Sequence, residues 1–279
     1  MTVNAGPEQQ DVADFYDRST RLLAEVNGGS LHFGYWDEQV GEGGMDRASR
    51  RLTEMMIERI GVGPADTVLD IGCGTGEPAL QLARATGARV VGITISPEQV
   101  AQAERGVAHS GLGDRVTFRC ADAMDLPFPA DSFDAVWLFE SIFHMPNRVT
   151  PLTEAARVVR PGGRVALTDV LHHAEPEAPG TEPGEELPFA TLFGESIRIG
   201  DYPELLSRAR LKPVEVTDIT DRTVDRTLEF IHRQIEADRT DLTVRYGADL
   251  VEQVDAATRM LGAAGLGYAI VTAERPPTR

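Results

Sequence analysis

The sequence predicts an α/β protein: a doubly wound, mostly parallel, seven-stranded sheet of Rossmann-like form. Three observations predict it. Short apolar runs alternate with helical patterns from Thr67 onward. The runs are nearly continuous in apolar residues, without alternate polar positions. The first of them enters a glycine-rich turn, Gly72-Cys73-Gly74-Thr75-Gly76, which leads into a helix. Strands that are apolar on both faces need cover on both sides, and a parallel sheet with crossover helices supplies it.

The elements follow in order. Asp11 to Ile60 carries two helical patterns joined by Gly28-Gly29-Ser30-Leu31-His32-Phe33-Gly34-Tyr35-Trp36, a stretch that regular helix does not accommodate. In the second pattern, Met45 to Ile60, residues Ala48, Leu52, Met55, Met56 and Ile60 share one face, and Gly61-Val62-Gly63-Pro64 ends it. Strand Thr67 to Ile71, helix Pro78 to Thr86, strand Arg89 to Ile93, helix Pro97 to Ser110 and strand Val116 to Cys120 come next. The turn Leu126-Pro127-Phe128-Pro129 precedes strand Phe133 to Phe139. Helix Val149 to Val159 stops at Pro161-Gly162-Gly163, before strand Arg164 to Asp169. An acidic, proline-rich loop, Glu175 to Glu186, opens the last part, which holds helix Tyr202 to Ala209, strand Val214 to Thr220, a long helical insertion from Val224 to Ala264 and a final strand, Gly267 to Ala273. The chain thus divides into an N-terminal helical clasp (1–63), a ligand-binding core (64–174) and lid segments with the helical insertion and last strands (175–279).

Composition narrows the partners. The 279 residues hold 44 Asp and Glu against 27 Lys and Arg, a net charge of −17, which repels nucleic acid and anionic membranes. No apolar run approaches the roughly 18 residues that span a bilayer, and Met1 to Asp14 lacks the basic and apolar regions of an export signal. The two cysteines, Cys73 and Cys120, form neither a disulfide framework nor a metal-ligand spacing, so a cytoplasmic setting is expected. Lys212 is the only lysine, which excludes Schiff-base chemistry elsewhere. His172-His173 with Glu175 lacks a third spaced ligand, and no metal is expected.

A strand running into closely spaced glycines and then a helix N-terminus lets a backbone approach a ligand and offers it unpaired N–H groups. A nucleotide-like ligand belongs there. Nicotinamide-binding loops use G-x-G-x-x-G followed by an acid; here the third glycine comes one residue early, and Thr94 stands at the end of the second strand.

This loop, preceded by Asp70, resembles the first motif of class I S-adenosylmethionine (SAM) dependent methyltransferases. Further motifs of that family follow between Thr67 and Asp169: Val91 to Gln99, Ala121 to Phe128, Phe133 to Glu140 and Val159 to Gly163. The resemblance extends to the branch of ubiquinone/menaquinone C-methyltransferases and of natural-product sugar and polyketide O-methyltransferases of the rebeccamycin type. It implies an enzyme with SAM as cofactor and S-adenosylhomocysteine as product, in antibiotic or other natural-product biosynthesis. It also implies that Asp70, Gly72, Gly74 and Gly76 cradle the donor, that Thr94 and Gln99 meet its ribose, and that Asp122 and Ala123 meet its adenine. Phe139 belongs to the fourth-strand motif of the same donor site. Leu31 to Trp36 is similar to an aromatic clasp in which His32, with Tyr16 from the first helix, would take the methionine carboxylate.

Methyl transfer needs an acceptor held in line with the methyl group, and an alcohol acceptor gains from a base. His144, beyond the fourth strand, is the candidate, with Asp169 at the end of the next strand to orient it or to serve instead. In similar sugar O-methyltransferases two consecutive histidines stand here; Phe143 takes the first position, and an apolar wall suits a flatter acceptor. Phe189, Leu192, Phe193 and Ile197 form an apolar face fit for a pocket lid, with Gly180, Gly184 and Gly194 to let it move. The expected partner is a small-molecule acceptor, methylated on oxygen or carbon. A homo-oligomer is left open. The alternative is a SAM-fold enzyme that catalyses a cyclisation or rearrangement with SAM or S-adenosylhomocysteine as a structural ligand.

Overall fold

The computed structural model describes residues 9–29, 31–41, 43–172, 195, 197–263 and 265–277, with residues 9–16, 172 and 263 described by backbone only. Tyr16 therefore has a described backbone alone. Expectations resting on His173, Glu175, Phe189, Leu192, Phe193 and the three lid glycines lie outside the described residues.

Helices α1 (Gln9–Val26) and α2 (Met45–Ile60) precede a core of β1 (Thr67–Ile71), α3 (Glu77–Thr86), β2 (Arg89–Thr94), α4 (Pro97–Ser110), β3 (Val116–Cys120), β4 (Phe133–Leu138), α5 (Val149–Val158) and β5 (Val159–His172). After them come α6 (Tyr202–Arg208), β6 (Lys212–Asp218), α7 (Val224–Tyr246), α8 (Ala248–Ala263) and β7 (Leu266–Glu274). The seven strands form one sheet in the order β3-β2-β1-β4-β5-β7-β6, with β7 antiparallel between β5 and β6 and the other neighbours parallel.

Double winding follows from the pleat. Val68, Ala135, Trp137, Ala166, Tyr268 and Ile270 face one way and pack with α2, α3 and the start of α7. Their strand neighbours Leu69, Val136, Leu138, Val165, Leu167, Ala269 and Val271 face the other way and pack with α5 and α6. Both faces are core, which is why the strands read as continuous apolar runs.

Two elements depart from expectation. Pro161-Gly162-Gly163 lies within β5: Val159 already pairs with Phe133, the register shifts before Arg164, and Gly162 takes φ +78° as its N–H donates to Arg275 O at 2.7 Å. The long insertion is two helices, because Gly247 at φ +88° breaks it between Tyr246 and Ala248. Among the described residues no helix is long and apolar enough to cross a membrane.

Candidate active site

The strand order reverses between β1 and β4, and a cavity opens at the carboxyl ends of these two strands, where open α/β sheets bind ligands. The turn after β1 forms its floor. Gly72 has φ +77°, and a Cβ there would sit 2.2 Å from Ser141 Cβ, so only glycine lets the β1 and β4 loops meet. A Cβ on Gly74 would point at Leu31 across the cavity, 3.6 Å away. Gly76 is set back from the lining: it caps α3 at φ +84°, and a Cβ there would strike Phe118 at 2.5 Å.

The end of β2 and the start of α4 form one wall. Ser96 caps α4, its Oγ accepting from Gln99 N–H at 3.0 Å, and Pro97 follows at the first turn. Thr94 Oγ1 donates to Gln99 Oε1 at 2.7 Å, so the two residues expected at a ribose are held together on the lining. Asp122 and Ala123 join them from beyond β3, with Asp122 Oδ1 accepting from Met124 N–H at 2.8 Å.

The segment after β4 forms the opposite wall with Phe139, Glu140, Ser141, His144 and Met145. A 3-10 turn, Ile142–His144, places His144 on the lining. Phe143, expected to wall the acceptor, is buried with the apolar core and is not on the lining, although its ring stands 4.2 Å from that of His144. The clasp closes the top with Leu31 and His32. His32 stacks on Phe139 with ring centroids 4.5 Å apart; its Nδ1 lies 2.8 Å from Phe33 O and its Nε2 3.3 Å from Thr53 Oγ1. Burial lowers its pKa to about 4, so by itself the ring is neutral at pH 7.

The cavity brings together nine of the expected residues: His32, Gly72, Gly74, Thr94, Gln99, Asp122, Ala123, Phe139 and His144. Asp70 lies just behind it. Neither of its oxygens has a hydrogen-bond partner among the described residues, and burial, against the Trp137 indole, raises its pKa to about 7. Asp169 is separated from the lining. Its carboxylate faces Arg148 Nε and Nη2, each at 3.3 Å, and accepts from Tyr202 Oη at 2.6 Å, with Arg148 and Asp169 2% and 0% exposed. It therefore answers a buried guanidinium instead of orienting His144. The strand continues to His172, so Asp169 is interior to β5 and not at its end.

Sequence reasoning missed Glu140. Burial raises its pKa to about 8 while its Oε1 accepts from Phe33 N–H at 2.7 Å and from the Tyr268 hydroxyl. Its φ of +50° places a non-glycine residue in the left-handed region at the mouth of the site. An acid at the carboxyl end of β4 was the available signal.

The donor fits this cavity. Glycine at 72 opens the floor where a side chain would intrude, the buried Asp70 carboxyl lies behind it beside the Trp137 indole, and the described lining holds Asp122 without Lys or Arg, a polarity suited to a sulfonium.

Comparison with known proteins agrees. Residues 69–167 match the model of a methyltransferase domain family. The 27-O-demethylrifamycin SV methyltransferase of Amycolatopsis mediterranei (strain S699) is 35% identical over 283 residues, covering 97% of this chain and 98% of that protein. Methyltransferase GfsG of Streptomyces halstedii is 39% identical over 214 residues, 77% of each chain. Among solved structures, the [4+2]-cyclase SpnF superposes with a TM-score of 0.84 at 33% identity, covering 98% of both chains. With the glycine-floored cavity at the β1/β4 reversal and relatives matched over nearly their whole length, the chain belongs to the class I SAM-dependent methyltransferases, with SAM as its cofactor.

Proposed function

We propose that this enzyme methylates a hydroxyl group of a small, uncharged natural product, with His144 as the general base. The observation that carries the reading is the placement of His144 on the same cavity lining as the glycine turn and Asp122, reached through a short turn beyond β4. The named relative that acts on a demethylated rifamycin supports an O-linked, secondary-metabolite acceptor. Absence of Lys and Arg from the described lining supports an uncharged acceptor over a phosphorylated one.

In this reading Gly72 and Gly74 leave space for the methionine portion of the donor, Thr94 and Gln99 hold its ribose, and Asp122 with the Ala123 N–H holds its adenine. Bound SAM supplies an electrophilic methyl group on a sulfonium sulfur. The protein's work is to exclude water with the clasp and to hold the acceptor oxygen in line, and His144 takes the proton that the oxygen loses. Asp169 is assigned to neutralising Arg148, not to proton transfer. Incubation with methyl-labelled SAM and hydroxylated polyketide acceptors tests this. Label should enter an O-methyl ether, and His144→Ala should cut turnover about 100-fold with S-adenosylhomocysteine affinity little changed. Unaltered turnover removes His144 from the mechanism.

The likeness to the [4+2]-cyclase favours one second reading, cyclisation with SAM as a structural ligand. Product formation without transfer of label would select it.

A further inference from the structure

Four consecutive backbone N–H groups of the clasp are held by four separate parts of the chain. Phe33 donates to Glu140 Oε1 at 2.7 Å, Gly34 to Thr227 Oγ1 at 3.1 Å, Tyr35 to Ala48 O at 2.9 Å and Trp36 to Arg222 O at 2.8 Å. Thr227, Ala48 and Arg222 belong to α7, α2 and the 3-10 turn Thr220–Arg222, and none lines the cavity. Glu140 does.

Glu140 is fixed from three directions. Its N–H donates to Thr168 Oγ1 on β5 at 2.9 Å, its Oε1 receives the Tyr268 hydroxyl from β7 as well as the clasp, and the Phe33 and Tyr268 rings stand 5.4 Å apart beside it. The next residue, Ser141, donates to Ile71 O at 2.6 Å and is the neighbour that a side chain at Gly72 would strike. Contacts therefore run unbroken from the clasp through Glu140 and Ser141 to the glycine floor. A left-handed backbone at Glu140 persists because the strand ends around it over-determine it.

We propose that Glu140 is a positioning residue, a latch that couples closure of the clasp to occupancy of the glycine floor by the donor. Leu31 and His32 close on the ligand because Phe33 is held at the end of β4. The proposal rests on the placement of SAM in this cavity. It demands an acceptor oxygen at Oε1 and no particular charge, since a neutral acid or an amide also accepts through its carbonyl oxygen. Glutamine should therefore replace Glu140, and alanine should not.

The test combines calorimetric S-adenosylhomocysteine affinity with amide hydrogen exchange of residues 31–36, with and without that ligand. In the wild type the ligand should slow exchange at Phe33 and Gly34. Glu140→Ala should exchange Phe33 about tenfold faster, lose the ligand-induced protection and bind about tenfold more weakly, as loss of one intramolecular hydrogen bond implies. Glu140→Gln should restore all three to within about threefold. Ligand-induced protection intact in Glu140→Ala overturns the latch, and so does Glu140→Gln binding as weakly as Glu140→Ala, which would mean that the charge itself meets the ligand. If Glu140→Ala does not fold, Tyr268→Phe, which removes the second donor to the same oxygen, should speed Phe33 exchange about threefold; unchanged exchange overturns the proposal. A wild type that binds no S-adenosylhomocysteine overturns the cavity reading and the coupling with it, whereas a binding wild type with an indifferent Glu140→Ala overturns the latch alone.

Discussion

Strand β4 buries Ala135, Val136, Trp137 and Leu138 at 1% exposure or less, in contact with both helical layers. Helix α7 buries one stripe, including Leu228, Ile231, Ile235 and Leu242, and turns Glu229, Arg233 and Glu236 outward. The small core it shares with α1 and α8 contains Leu22, Val26, Val251 and Val254. Much of the remaining cohesion of this helical cap is ionic. Asp255 is buried among His232, Arg239 and Arg259; burial pushes its carboxyl up, but the three partners outweigh that and hold it below the usual range. The sheet is thus held by packing on both faces, and the cap, which meets it through the start of α7 and at the clasp, has the smaller core of its own. The part with the smaller core is expected to open first in hydrogen exchange.

Four measurements test this contrast. Asp169→Ala strands the buried Arg148 and should cost about 3–5 kcal/mol in denaturant unfolding. A full loss of turnover without that loss of stability would return Asp169 to the chemistry. Next, Ile235→Ala removes a fully buried side chain from the cap core and should cost about 2–5 kcal/mol. If cap and sheet differ as described, hydrogen exchange rises in α7 and α8 before it rises in β1 and β4; equal acceleration everywhere shows one cooperative unit.

The third concerns pH at the seam. Burial raises Asp70 to about 7 and Glu140 to about 8, from 3.8 and 4.5. In the range between, the folded chain keeps protons that the unfolded chain has released, so stability falls as pH rises. His32, lowered by burial from 6.5 to about 4, acts oppositely, weakening the fold only as pH falls below 6.5. The ligand-free melting temperature should therefore decline between pH 6.5 and 8, and Glu140→Gln should remove part of the slope. A flat wild-type profile contradicts the burial of both acids. The smallest effect is at the rim, where Glu25 pairs with Arg245 and Tyr246 at the exposed α1–α7 contact. Glu25→Gln should shift the melting temperature by no more than about 1–2 °C, and by less at high salt.

Much of the cavity lining was legible in the sequence because many of its parts are local. A glycine turn behind an apolar strand, or Thr94 five residues before Gln99, is a short-range arrangement that the element geometry enforces, and the cavity unites nine such residues. Asp169 was misjudged as a strand end because the sequence around it does not show where β5 stops, and its partner Arg148 is 21 positions away. Glu140 acquires its role from Phe33, 107 residues earlier.

The layers were written in the chain's local pattern: apolar period and glycine punctuation select parallel strands, crossover helices and a cradle for a nucleotide-like ligand, since these depend on neighbours a few residues apart. Tertiary structure alone decided which acids face a ligand and which face a buried cation. Asp169, inside β5, and Glu140, just beyond β4, carry the same carboxyl chemistry, and only the elements that pack against them, Arg148 on one side and the clasp on the other, distinguish their surroundings.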